Sequence, residues 1–268
     1  MSPLEAALFA LALATGAAAG VLAVLGRGPP RLRRAWLGVA LGALAVLVGD
    51  RWRRAGHPPI MGTYEVALAD ALVLWALALG WAWRRPAQAR VAVALGIPGA
   101  AMLGHGLAFP TAPVPLTISE QSLWVDLHAF VAFLALGLYL SGAAAAVGRL
   151  LVRDEASEDG LLLDEAQHRF TALGFLFHSA LMATGAWYSV HVFGVFWRWD
   201  PIEALAALSW LAWGLALHAR LFFRWRGKRL AVALLLCVLV TVALHKGVPH
   251  LGRLSFHVFD LRFPGAPG

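Results

Sequence analysis

Hydrophobic residues of this chain gather into long runs, and short segments rich in arginine separate the runs. Eight runs approach the roughly 20 residues with which a helix crosses the hydrocarbon core of a bilayer. They cover residues 3–26, 35–50, 64–83, 90–109, 124–151, 170–191, 203–223 and 229–247. The pattern predicts an all-α integral membrane protein, a bundle of about eight transmembrane helices. No internal repeat or polar linker interrupts it, so we expect one polytopic membrane domain over residues 1–268. We interpret the first run as a mature helix and not as a cleaved signal.

Composition supports this interpretation and excludes other classes of protein. Of the 268 residues, 60% are hydrophobic and only 14% are charged, and the mean hydropathy is +0.71, which is too apolar for a water-soluble globule. The chain is basic, but its cations cluster between apolar runs and do not line one polar face, so we expect no nucleic-acid partner. The single cysteine, Cys237, rules out a CxxCH haem-attachment motif and a cysteine-rich metal site. Metal chemistry would have to come from histidine.

The distribution of lysine and arginine predicts the orientation in the membrane, because cytoplasmic loops are enriched in these residues. Of the 22 cations, fifteen fall in alternate loops and seven in the others. The fifteen are Arg27, Arg31, Arg33, Arg34, Arg84, Arg85, Arg90, Arg149, Arg153, Arg169, Arg220, Arg224, Arg226, Lys228 and Arg229. We therefore expect a multi-pass membrane protein with both termini on the outer side. The acidic segment 154–165 is interpreted as a solvated cytoplasmic linker without a function of its own.

Aromatic residues crowd the short loop before the seventh run, which the same rule places outside. Phe193, Phe196, Trp197 and Trp199 accompany Gly194 there. A single interfacial Trp is usual in membrane proteins, whereas a dense aromatic shelf suits a large flat ligand.

The residues that follow the aromatic loop predict the start of a helix. Asp200 is placed as the N-cap, Pro201 as the first helical residue, and Glu203 lies three positions after the cap. This capping arrangement accounts for the two carboxylates without any role in acid–base catalysis.

Ten histidines are many for a chain with so few polar residues. The predicted orientation sorts seven to the outer face: His57, His105, His128, His191, His245, His250 and His257. His178 falls in mid-membrane, His168 in an inner loop, and His218 near the inner end of its helix, about 25 Å below Pro201 at ~1.5 Å per residue. An isolated intramembrane histidine is more often a hydrogen-bonded packing residue than a ligand, yet such residues are candidates for function. Paired imidazoles of His128 and His257 could hold haem iron at the aromatic shelf, with His218 marking a second site.

These motifs resemble a known family. The stretch FGVFWRWDPIE at residues 193–203 resembles the WWD signature (WGxxWxWDPxE) of the haem-handling proteins of cytochrome c maturation, and the continuation SWLAWGLALHARL is similar to its CcsA (ResC) branch. Weaker matches follow in the same order along the chain. They are TYE at residues 63–65, WVDLH at 124–128, GF at 174–175 with GAW at 185–187, and residues 251–257. The WWD-type core then spans about residues 124–262.

The resemblance implies a set of haem contacts. It makes His128 and His257 the axial ligands of haem at the outer shelf, and His218 the transmembrane histidine that binds haem on its way across. The shelf itself would comprise Phe193, Gly194, Phe196, Trp197, Trp199, Asp200, Pro201 and Glu203. The haem would be haem b, bound without covalent bonds and in transit. Three positions depart from the family pattern, namely Phe193 for the first tryptophan, Ile202 for a basic residue and Val258 for a serine.

The resemblance also implies a location in the bacterial cytoplasmic (inner) membrane, partners and a function. The chain would be the haem transport and presentation subunit of a system II-type cytochrome c synthase (haem-lyase) complex, with a CcsB (ResB) membrane subunit, apocytochrome c, and a thiol-reducing thioredoxin-like protein. The second transmembrane histidine of the family belongs to the CcsB subunit, and the nearest substitute in this chain is His178. Three alternatives stay open from sequence: a HemX-type membrane regulator of haem synthesis, an electron-transfer cytochrome b, and a transporter without haem.

Overall fold

The structure is a computed structural model, and it describes residues 1–113, 116–154 and 156–247. Within these ranges the regular structure consists of helices, with no strand. Nine α-helices follow one another in the described residues: α1 Pro3–Leu25, α2 Pro30–Ala55, α3 Thr63–Arg84, α4 Ala89–Val93, α5 Gly96–Gly106, α6 Leu123–Leu151, α7 Glu158–Phe193, α8 Pro201–Leu221 and α9 Gly227–Gly247.

Seven segments of the described chain are long and apolar enough to cross a membrane, with Pro86–Gly106 counted as one span. The helix α9 follows them with 21 residues. The predicted all-α membrane bundle of about eight helices is therefore confirmed. The described residues form two compact units, one mainly of residues 1–113 and the other mainly of residues 116–154 and 160–247. The single membrane domain over the whole chain stays a prediction.

Three predicted boundaries differ from the structure, and charged or special residues explain each difference. The helix α2 extends beyond the predicted 35–50 because Pro30 lies at its first position and Gly56, with φ of +76°, ends it; the arginines at its ends remain helical. The fourth predicted helix, 90–109, is interrupted between α4 and α5. Pro98 has no N–H to donate to the carbonyl of the preceding turn, which favours a break there.

The acidic segment 154–165 is not the linker that the sequence indicated. From Glu158 onward it belongs to α7, and Asp164 is buried. Oδ2 of Asp164 lies 2.7 Å from Nη1 of Arg220, and Oδ1 accepts hydrogen bonds from the backbone N of Gly227 at 2.6 Å and from Gln167 at 2.8 Å. Asp164 thus ties the start of α7 to the end of α8 and the start of α9.

In the first unit, glycines allow the helices to approach closely. Gly16 and Gly20 lie one turn apart on α1, and a Cβ on Gly20 would stand 2.6 Å from the backbone N of Ile97 on α5. Small residues at this i, i+4 spacing permit such contacts between membrane helices. The indole of Trp75, from α3, fills the space beside Gly16 and Gly99.

A buried ion-pair triad lies at the ends of α1, α2 and α3. Arg51 is 2% exposed, and its guanidinium contacts Oε1 of Glu5 at 2.6 Å and Oε1 of Glu65 at 2.7 Å. It also donates to the carbonyl of Thr111 at 2.8 Å and lies over the ring of Tyr64. The sequence placed Arg51 in a loop, just past the end of a predicted helix, whereas the structure makes it the polar centre of the first unit.

The second unit contains α6 to α9, and two stacked rings form the middle of its core. Tyr139 of α6 and Trp213 of α8 have ring centroids 3.8 Å apart with an interplanar angle of 2°. The indole of Trp213 donates to the hydroxyl of Thr241 on α9 at 2.8 Å. These contacts fix the middle of α8, the helix that carries the WWD-type segment at its start and His218 near its end.

Candidate functional site

The segment between α7 and α8 folds as the capping pattern predicted. Asp200 is the N-cap of α8, and its carboxylate accepts from the backbone N of Ile202 at 2.9 Å. Glu203 reaches back and accepts from the backbone N of Asp200 at 3.3 Å and of Arg198 at 2.8 Å, which completes a capping box. Both carboxylates are thus engaged in holding the loop, and the prediction of a capping role is confirmed.

The capped loop holds its aromatic side chains toward its surroundings. Phe196 is 68% and Trp199 is 80% exposed. Trp199 has a backbone φ of +59°, a left-handed conformation that residues other than glycine rarely adopt. The rings of Trp197 and Trp199 meet edge to face at 6.0 Å, and the guanidinium of Arg198 lies 3.7 Å from the centroid of Phe193. Phe193, Phe196 and Trp199 thus present flat apolar surfaces that no other described residue of the unit covers fully, while Trp197 is half-buried.

His128 lies at the same end of the unit, in the second turn of α6. Its Nδ1 is 3.1 Å from Oγ1 of Thr184, on α7. This contact shows that the start of α6 lies beside the end of α7, the helix that leads into the aromatic loop. One turn closer to the start of α6, Trp124 packs against Trp187 of α7 with ring centroids 5.5 Å apart.

A second histidine stands in this group, and the sequence analysis assigned it no ligand role. The ring of His191 packs on Trp187 at 4.2 Å, and its Nδ1 donates to the backbone carbonyl of Trp187 at 2.8 Å. The group formed by Trp124, His128, Thr184, Trp187 and His191 is called the His128 cluster below. The motifs at residues 124–128 and 185–187 had indicated Trp124, His128 and Trp187, whereas Thr184 and His191 were indicated only by their i, i+3, i+7 spacing with Trp187, which places all three on one face of α7.

The structure describes only one of the two histidines that were predicted to ligate haem at the outer site, namely His128. His257 lies outside the described residues, so its placement beside His128 stays a prediction. The cluster nevertheless fits haem in two respects: an imidazole held by its Nδ1, and large aromatic faces beside it. Haem iron takes four ligands from its macrocycle, so the protein has only to supply axial groups such as imidazole.

His218 lies at the opposite end of α8, as predicted. It is exposed, and its ring stacks on Phe222 at 4.3 Å and meets Phe223 edge-on at 5.6 Å. The helical rise puts it about 25 Å from Pro201, so it cannot reach a ligand bound at the aromatic loop. It forms a separate group with two exposed aromatic rings.

His178 has the environment of a packing residue. It is 4% exposed, and its Nδ1 lies 3.2 Å from the hydroxyl of Tyr139. The edge of the ring also packs against the Tyr139 ring, with ring centroids 5.8 Å apart. A histidine bonded in this way stabilises the contact of α6 and α7, which is the structural alternative that the sequence left open.

Comparison with known proteins agrees with the architecture and the motifs. The family model described as "Cytochrome C assembly protein" matches residues 1–246. A cytochrome c biogenesis protein CcsA from Parasynechococcus marenigrum is 28% identical over 237 residues, covering 75% of this chain and 78% of that protein. Proteins of the same name from Synechococcus sp. (strain CC9311) and Chlamydomonas reinhardtii are 28% and 26% identical, and cover 84% and 82% of this chain. The two alignments cover 86% and 66% of the lengths of those proteins, respectively. This multi-pass membrane chain therefore belongs to the cytochrome c assembly protein family and has a role in cytochrome c biogenesis.

Proposed function

We propose that this chain binds haem in the membrane and presents it for covalent attachment to apocytochrome c, as the haem-handling subunit of a cytochrome c synthase complex. The observation that carries the proposal is the His128 cluster: an imidazole held on Thr184 at the end of the bundle where the aromatic side chains of the WWD-type loop are exposed. Haem is flat, largely apolar and ligated by imidazole, so each part of the cluster has a counterpart in the ligand.

The proposal gives the loop residues a share in holding the haem. Phe193, Phe196, Trp197 and Trp199 supply apolar surface, while Asp200 and Glu203 hold the loop through the capping box. His128 supplies one axial imidazole, and His257 is the proposed second. The iron and vinyl groups of the haem supply the chemistry of attachment, and this chain contributes orientation and ligation.

His218 serves a second haem position in this proposal. It continues a stripe of exposed residues on α8, in which Leu208, Leu211, Leu215 and His218 recur at intervals of three or four, and exposed Phe222 follows four residues later, just past the end of α8. An exposed apolar stripe that contains one imidazole suits a haem edge or a partner helix within the bilayer. We propose that a CcsB-type subunit covers this stripe and supplies the second axial ligand there. Apocytochrome c and a thioredoxin-like reductant, which keeps its thiols reduced, would act at the WWD-type loop.

The proposed orientation places the WWD-type loop and both termini outside the cytoplasm of a bacterial cell, because most cations lie in the other loops. A cysteine at exposed Val195 tests it, in a Cys237→Ala background that removes the single native thiol. An impermeant thiol reagent should label Val195→Cys in intact cells. Labelling that requires lysis would reverse the orientation.

Haem binding itself has a direct test. We expect the full chain, purified with its partner subunit, to carry b-type haem that acid–acetone extracts completely, because the sequence has no CxxCH motif for covalent attachment. The measurement is a reduced-minus-oxidised absorption spectrum before and after extraction. A colourless complex after haem is added, or pigment that stays on the polypeptide, would contradict the proposed function.

A further inference from the structure

The hydrogen bonds of Thr184 determine where His128 carries its proton. The Thr184 hydroxyl lies 2.9 Å from the carbonyl of Ala180 and 3.1 Å from that of Leu181, one turn back on α7. Carbonyl oxygens only accept, so the single hydroxyl hydrogen is directed at them, as is usual for threonine in a helix. The hydroxyl oxygen is then an acceptor toward His128.

A ring nitrogen that faces an acceptor must carry hydrogen. Nδ1 of His128, 3.1 Å from Oγ1 of Thr184, is therefore the protonated nitrogen of the neutral ring, and the lone pair lies on Nε2. A metal-ligating histidine is commonly held in this way by a hydrogen bond from its other ring nitrogen, which fixes the tautomer and raises the basicity of the ligating nitrogen.

The neighbouring residue limits the position of the ring. A Cβ on Gly185 would stand 2.9 Å from Cε1 and 3.4 Å from Nδ1 of His128. The first distance is shorter than an ordinary van der Waals contact, so any side chain at residue 185 would displace the imidazole. Consecutive residues on α7 therefore fix two properties of His128: Thr184 fixes its proton and Gly185 leaves room for its ring.

We propose that Thr184 is a positioning residue for haem ligation: its hydroxyl holds His128 as the Nδ1–H tautomer and presents Nε2 to iron, while Gly185 provides the space. The proposal rests on the proposed function in that it assumes haem at His128. Thr184 does not touch the ligand and acts through the imidazole.

The first experiment needs no haem. The full chain is labelled with ¹⁵N-histidine, and the tautomer of His128 is identified from its ring nitrogen shifts, with His128→Gln to assign the signal. We expect protonation at Nδ1 in the native chain and in Thr184→Ser, which keeps the hydroxyl. Thr184→Val, of nearly the same shape without the hydroxyl, should lose that preference. A native His128 with its proton on Nε2 overturns the proposal, whether or not any variant folds.

The second experiment adds haem b to the same proteins. Removing the partner of a metal-ligating histidine typically costs about 10–100-fold in affinity, and we expect a loss of that size for Thr184→Val, with little change for Thr184→Ser. Gly185→Ala should weaken binding without altering the proton position, because it displaces the ring and leaves the hydroxyl in place. Haem that stays on Thr184→Val should have a more positive reduction potential, since its imidazole donates less charge to the iron.

The two experiments separate the two proposals. If the native chain with its partner binds no haem while His128 is protonated at Nδ1, the proposed function fails and the tautomer assignment stands. If the native chain binds haem and Thr184→Val matches Thr184→Ser in affinity, potential and tautomer, the positioning role is wrong and the proposed function is untouched.

Discussion

Replacing Arg51 with methionine is expected to unfold the first unit under conditions in which the native chain stays folded. The guanidinium bonds to Glu5 and Glu65, and all three side chains are at most 2% exposed. Methionine has a similar length but no charge. Glu5 would keep only its longer contact with Arg54, at 3.4 Å, and Glu65 would remain buried without a guanidinium partner. Breaking a buried ion pair by removing one partner typically costs about 3–5 kcal/mol. Loss of helical circular dichroism during a denaturant titration in detergent measures the change.

Arg53 provides the matched control, because it lies on the same helix and pairs with Asp50 at 2.9 Å while 75% exposed. Exposed pairs contribute only about 0.2–1 kcal/mol, so Arg53→Gln should unfold at nearly the same denaturant concentration as the native chain. Neutralising all three buried charges, in Glu5→Gln, Arg51→Met and Glu65→Gln together, should recover part of the loss, since no unpaired charge would then be buried. If Arg51→Met and Arg53→Gln unfold at the same denaturant concentration, the triad does not stabilise the unit.

The fold of this protein could largely be predicted from its sequence because bilayer thickness sets the length of each apolar run. The boundaries could not, because a hydropathy pattern ends where charges begin, whereas a helix ends where its backbone is capped. The helix α2 continues through the arginines near its ends until Gly56. In the same way α7 begins at Glu158, within a segment whose acidity indicated a linker.

Sequence spacing revealed the local part of the candidate site and missed the pairings between helices. Asp200, Pro201 and Glu203 are neighbours, so their capping box could be predicted directly. Arg51 and Glu5 are separated by 46 residues, and helical periodicity relates only residues that lie close together in the sequence. Their contact follows only from the packing of α1 against α2. Thr184 lies 56 residues from His128, and its spacing along α7 does not indicate that it contacts a residue of α6.

Removing the imidazole of His218 or of His128 is expected to affect haem in two different ways, because the two histidines lie near opposite ends of the second unit. His218→Gly should lower the amount of haem that reaches the complex and leave the spectrum of any bound haem nearly native. His128→Gly should alter the axial-ligand spectrum and the reduction potential, since one imidazole is missing at the loop site. His257→Gly should behave like His128→Gly if it supplies the second ligand. An outer-shell partner alone is worth about 10–100-fold in metal affinity, so we expect each variant to lose at least that much affinity for haem at its own site. The spectrum of the haem that remains bound then distinguishes the two variants.

His168 is the matched control, since it is another histidine near the His218 end of the second unit. Its side chain is half-buried beside Thr171, Leu217 and Arg220, whereas that of His218 is exposed. His168→Gly should therefore retain native haem content and spectrum. Added imidazole should restore the loop-site variants more readily than His218→Gly if the loop site is the more open, as the exposure of Phe196 and Trp199 indicates. Full haem content in His218→Gly with an altered axial-ligand spectrum would mean that His218 and His128 hold the same haem. That result is incompatible with the helical rise of about 25 Å between His218 and Pro201 at the start of α8, and it would reject the assignment of two sites.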